Sequence, residues 1–109
     1  MILVFGGAYQ GKLAYAKGRF LNDVKIVNDF DKWILELVQT GQDVDEAVRG
    51  FIADNADAVV ICNDISCGVV PADAVQRKWR EAVGRAAGAL AGASDEVVRL
   101  FCGIPTRIK

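Results

Sequence analysis

The chain has 109 residues, 52% of them hydrophobic, with 13 basic and 14 acidic side chains and a formal net charge of -1, which suits one domain over residues 1–109 with a single core. The charges are interspersed, so no basic footprint for a nucleic-acid backbone exists, and the longest apolar runs, about five to six residues, fall well short of the ~20 that span a bilayer. Three cysteines, no histidine and no basic leader-like start argue for reduced thiols in a cytoplasmic protein, not a disulfide framework or a zinc knuckle.

Ile2-Leu3-Val4-Phe5 is an uninterrupted apolar run ending at Gly6-Gly7, the pattern of a strand buried on both faces of a parallel sheet. A short helix is expected from Lys12, weakened at Gly18. Val24 to Val27, between Asn22-Asp23 and Asn28-Asp29, predicts a second strand. Asp31 to Val38 places Trp33, Ile34, Leu37 and Val38 at helical spacing, with Gly41 as its stop, and Asp43 caps a third helix carrying Val44, Ala47, Val48, Phe51 and Ile52 on one face. Ala58 to Cys62 is the clearest buried strand and delivers Asn63 and Asp64 at its carboxyl end, where functional groups of open α/β sheets gather.

After Ser66 to Val70, the stretch Ala72 to Ala91 predicts a long helix, with Pro71 and Asp73 at its start, Gly92 past its end, and Val75, Trp79, Ala82, Val83, Ala86 and Leu90 on its apolar side. Glu96 to Cys102 predicts a last strand, after which Gly103-Ile104-Pro105 turns the chain into a tail. Alternating strands and helices predict a three-layer α/β domain around a small, mostly parallel sheet, and the glycine-rich turn between its first strand and the helix at Lys12 makes the arrangement P-loop NTPase-like.

The segment Gly6-Gly7-Ala8-Tyr9-Gln10-Gly11-Lys12-Leu13 fits the phosphate-loop pattern G-x-x-x-x-G-K between a strand and a helix. Glycines let backbone N–H groups turn inward around phosphate oxygens, and Lys12 is placed to reach the outer phosphates. The next position ordinarily carries a Ser or Thr whose hydroxyl binds Mg2+; here it is Leu13, which has no donor. The same residues also fit a plain glycine turn with a solvated lysine. Asp64 suits either a Mg2+-bound water or a proton transfer from a substrate hydroxyl, and equally suits loop ordering together with Asn63. Asp95-Glu96, the Arg77-Lys78-Arg80 cluster and Arg85 read as solvated faces, and Trp33 and Trp79 as core.

Taken together, Ile2-Leu3-Val4, Gly6-Gly7, Gly11-Lys12, the run from Asn63 to Pro71, Arg80 with Gly84, and Gly103-Ile104-Pro105 with Lys109 resemble the bifunctional adenosylcobinamide kinase/adenosylcobinamide-phosphate guanylyltransferase family of cobalamin biosynthesis. The likeness covers residues 1–17 and 57–109, and the middle is shorter than the family's. It implies a transferase binding ATP or GTP with Mg2+ and a cobinamide-like small molecule, and a homo-oligomer, with Lys12 and Asp64 as catalytic residues and Asp64 as the metal-side carboxylate. The family transfers GMP through a histidine that this chain lacks, so guanylyl transfer is expected to be lost. Leu13, Asp64 and Ser66 stand where the family has Ser, Glu and Gly, and Ala87-Gly88 where it has Asn-Gln. A non-catalytic ligand-binding or oligomer-forming module with the same fold is the alternative expectation.

Overall fold

The computed structural model describes residues 1–20, 23–65 and 73–109. In chain order the elements are β1 (Ile2–Gly6), α1 (Lys12–Arg19), β2 (Ile26–Val27), α2 (Phe30–Gln39), α3 (Val44–Asp54), β3 (Val59–Asn63), α4 (Ala74–Ala93), β4 (Glu96–Phe101) and β5 (Ile104–Arg107). Among the described residues they form one sheet in the order β2-β3-β1-β4-β5. β1 is central, parallel to β3 (Leu3 opposite Val60) and to β4 (Leu3 opposite Val97).

The continuous apolar runs follow from burial on both faces. Leu3, Val60, Cys62 and Val97 face a core shared with α2, α3 and α4, while Val4, Val59, Ile61, Val98 and Leu100 face α1. Each fully buried Leu, Ile or Val there contributes about 1.5–3 kcal/mol relative to exposure. On the three-helix side, Phe30, Trp33 and Phe51 stack in tilted geometry with centroids 4.9–5.6 Å apart, which ties α2 to α3. The connection from β1 to β2 passes over the α1 face in one direction, and those through α2–α3 and α4 pass over the other face in the opposite direction, so all share one hand.

Caps set most boundaries. Asp43 accepts from the Glu46 N–H at 3.1 Å, and Asp73 accepts from both Val75 and Gln76 N–H at 2.7 and 3.1 Å. Gly41, at φ 70°, closes α2, with Gln42 N–H bonding back to Leu37 O at 3.0 Å.

Several sequence expectations are corrected. β2 is only Ile26–Val27, because it pairs solely with Val59 and Val60 at the end of the sheet; Val24 is exposed. Gly92 lies inside α4, which runs on to Ala93 and stops at Ser94. Val75 is exposed, not on the buried side of α4. The expected tail is a strand: Cys102 (φ 52°) and Gly103 (φ 75°) give two successive positive-φ residues, the signature of a two-residue hairpin turn, and β5 returns antiparallel to β4. Pro105 is tolerated because β5 is an edge strand. Ser66 to Ala72, including Cys67 and Pro71, lie outside the described residues.

Glu96 is also not part of a solvated face. It is buried at the start of β4 and receives both guanidinium nitrogens of Arg19, Nη2 to Oε1 at 2.9 Å and Nη1 to Oε2, pinning the end of α1 to the sheet. That hydrogen bonding holds the Glu96 carboxyl below its ordinary value of 4.5 and raises the Arg19 guanidinium. Because Arg19 is partly exposed, the Arg19→Ala variant is expected to lose only about 1–2 kcal/mol at pH 7. A depressed carboxylate stabilises above its unfolded pKa, so the gap between the two proteins should close as pH falls below about 4.5. Denaturant melts at pH 7 and pH 3 check this, and an undiminished gap at pH 3 would show packing alone at work.

Candidate functional site

β1 ends at Gly6, and its neighbours β3 and β4 end beside it. A Cβ at Gly6 would lie 2.4 Å from Leu100 O of β4, so only glycine lets the strands run this close. On the other side, Asp64 N–H donates to Gly6 O at 2.7 Å. From this clamp the chain turns through Gly7, Ala8, Tyr9 and Gln10 to Gly11. Tyr9 takes φ 59° with its ring fully exposed, and Gly11 takes φ 83°. A tyrosine in the left-handed region is uncommon, and such backbone concentrates at functional sites. Gln10 Oε1 accepts from the Cys102 N–H, so the β4–β5 turn braces the loop.

α1 then starts at Lys12 with no side-chain cap and no acidic residue in its first turn, leaving its leading N–H groups and its positive dipole end directed at the loop. Lys12 is only 5% exposed, and its Nζ donates to Gly7 O. Burial holds the ammonium below its ordinary value of 10.5, partly offset by Asp31, Cys62 and Asp29. Leu13 packs with the α1-side core against the cluster that includes Val4 and Ala16.

The loop opens on a cavity of about 510 Å³. Tyr9, Gln10, Gly11 and Lys12 line one side; Asn28, Asp29 and Lys32, from the end of β2 and the first turn of α2, line the other, with Asn63 from β3. Asp29 adopts φ 57°, a kink that starts α2 here, and its carboxylate lies 3.5 Å from Lys32 Nζ. Behind the cavity, Asp31 is buried and accepts from the Asn63 N–H and Nδ2 at 3.2 and 3.3 Å, while its carbonyl takes the Trp79 Nε1–H at 2.7 Å. Trp79 is thus a core residue with a structural hydrogen bond.

The eight loop residues predicted from the motif, Gly6 to Leu13, are therefore brought together, and Lys12 stands within the cavity's lining. Asp64 follows directly after Asn63, partly buried, but Asn63 is the residue that lines the cavity. Asn28, Asp29, Asp31 and Lys32 were missed by sequence reasoning. The signal that finds them is the rule that the carboxyl ends of parallel strands gather ligands, applied to the short strand before Asn28.

Mg2+ demands oxygen ligands in near-octahedral geometry. Among the described residues, position 13 offers a methyl-ended side chain in place of an oxygen ligand, Asp29 is paired with Lys32 and Asp31 accepts from Asn63, while Asp64, the carboxylate expected on the metal side, follows Asn63 at the end of β3.

Cys62 lies under the same site and is fully buried, which pushes its thiol up to about 12, with Asp31 and Asp64 adding to the effect; Cys102 is exposed. Thiol-specific alkylation followed by peptide mapping is expected to modify Cys102 in the folded protein and Cys62 only after unfolding. Equal labelling of the two in the native state would contradict the buried placement.

Comparison with known proteins adds the lineage. A family model described as cobinamide kinase / cobinamide phosphate guanyltransferase matches residues 19–108, so the match includes the middle of the chain and begins after the glycine loop. The bifunctional adenosylcobalamin biosynthesis protein CobU of Salmonella typhimurium is 30% identical over 86 residues, which is 75% of this chain and 46% of that protein; the chain spans about half the length of this curated relative. No helix among the described residues is long and apolar enough to cross a membrane. The parallel sheet with its loop at the carboxyl end of β1, and a match over most of its residues, establish that the chain belongs to the cobinamide kinase / cobinamide phosphate guanyltransferase family.

Proposed function

We propose that the chain binds the phosphates of ATP or GTP in the loop from Gly6 to Leu13, and that this binding outlasts most of the family's catalysis. The observation that carries the reading is the buried Lys12 ammonium inside a cavity rimmed by the loop and by the uncapped start of α1. Such an arrangement offers phosphate oxygens backbone donors, a dipole and a cation at once.

Transfer of a phosphoryl group to a cobinamide-like alcohol would form a bond from the acceptor oxygen to the terminal phosphorus, break the bond to the bridging oxygen, and pass the hydroxyl proton to a carboxylate. Asp64, at the carboxyl end of β3, is the residue assigned to receive it. Phosphoryl transfer is positioning and charge stabilisation, and Leu13 removes one charge-stabilising contact. Turnover is therefore expected to be slow, and guanylyl transfer absent for want of a histidine. A cytoplasmic location and a homo-oligomeric state, both expected from the family resemblance, belong to the same proposal.

Isothermal titration with ATP and with GTP tests the reading. Micromolar binding by the wild type supports it. Absence of heat with both nucleotides would leave a fold retained for a non-catalytic role.

A further inference from the structure

The loop and Lys12 leave a triphosphate's charge only partly neutralised, because Lys12 already faces Asp31 and is tied to Gly7 O. Position 13, where a metal-binding hydroxyl would stand, is an apolar side chain that is half-buried against the core and offers the cavity no oxygen. Among the described residues, one other cationic side chain lines the cavity: Lys32, one turn into α2. It is carried there by the left-handed backbone of Asp29, which starts the helix at the mouth of the cavity.

We propose that this site binds nucleotide phosphates without Mg2+, with the ammonium of Lys32 supplying the second positive charge. The proposal rests on the phosphate-binding reading above and extends it to the form of the ligand: a nucleoside polyphosphate that is bound equally with or without its metal ion.

The pairing of Lys32 supports this. Its Nζ lies 3.5 Å from Asp29 Oδ2, with the lysine side chain 69% and the aspartate 44% exposed. A water-exposed pair of this kind contributes little, so exchanging the carboxylate for a phosphate oxygen is nearly free of penalty. Lys32 is also long and flexible enough to follow phosphates of different length, whereas Lys12 is fixed by its burial. Asp29 opposes an incoming anion and holds Lys32 in reserve; in its absence the lysine is unpaired and the cavity less negative.

The experiment is titration of the wild-type chain with ATP and GTP, once in MgCl2 and once in EDTA, repeated for Lys32→Ala, Lys32→Arg and Asp29→Asn, with thermal melts for each. Expected are wild-type dissociation constants that agree within about threefold in the two buffers and a loss of about 10- to 100-fold in Lys32→Ala, as for removal of a charge-assisted hydrogen bond. Lys32→Arg should retain binding, and Asp29→Asn should bind more tightly in EDTA. A tenfold or greater gain on adding Mg2+, wild-type affinity in Lys32→Ala, or loss of binding in Asp29→Asn would overturn the proposal and point to Asp29 as a metal ligand. No binding in either buffer would instead defeat the phosphate-loop reading beneath it.

Discussion

Lys12→Ala should lose nucleotide affinity by about 100-fold while keeping the fold. Removing a charge-assisted hydrogen bond from this nearly buried ammonium costs about 1.5–3 kcal/mol of binding. The stability estimate follows from the direction of the lysine's shift. A base whose folded pKa lies below its ordinary 10.5 is disfavoured in its charged form by the fold, so at neutral pH the Lys12 ammonium opposes folding, and that opposition fades only as pH rises toward 10.5. Lys12→Met, which keeps most of the apolar stem, should therefore melt no lower than the wild type and still fail to bind. Titration calorimetry and thermal melts on both variants check this. Retained affinity in either would mean that the glycine loop is only a turn.

Gly6→Ala should be the most damaging single methyl group that can be added to the chain's phosphate loop. Its Cβ would sit 2.4 Å from Leu100 O and 3.3 Å from the Leu100 carbonyl carbon. Both are backbone atoms of the neighbouring strand, so no side-chain rotation relieves the clash and β1 and β4 must part. A loss of about 3 kcal/mol, with a fall of roughly 10–20 °C in melting temperature, is expected. Gly7→Ala is the control one residue away. There the nearest atoms belong to the flexible Gln10 side chain at 3.8 and 4.0 Å, and stability should change by less than about 0.5 kcal/mol. Equal melting of the two variants would show that the strands separate easily at this point.

Much of this was legible in the sequence because it depends on local chemistry. Two-sided burial writes itself as Ile2-Leu3-Val4-Phe5 and as Val59-Val60-Ile61-Cys62, and Asp43 and Asp73 announce their helices by capping them. The loop is likewise a contiguous motif. The far wall of the cavity is not. Asn28, Asp29 and Lys32 follow a two-residue strand whose position beyond β3 is set by long-range pairing, and nothing in their own neighbourhood says that they will stand opposite Gly11. In sequence Asp31 marks only the start of a helical stretch, and its burial becomes visible once Asn63 is brought to it from 32 residues away. Glu96 was misread for a similar reason, since its partner Arg19 lies 77 residues earlier. The last strand was missed because Cys102-Gly103 is not among the commonest hairpin pairs, although a glycine after an apolar run was the cue.

The placement of β1 in the middle of the sheet has a consequence for how the chain is made. Ile2 finds its partners at Val59 and at Glu96, so β1 is enclosed on both edges only by strands made well after it. At ordinary ribosomal speeds, the interval between making Ile2 and making Glu96 is about 5–20 s. Throughout it, the β4-side edge of a strand of high β-propensity lacks its partner, and closure of such distant loops sets the pace of folding. The arrangement that places the glycine loop between two carboxyl ends therefore gives the nascent chain a prolonged period of exposure, during which early capture by a holding chaperone would matter more than the stability of the finished domain.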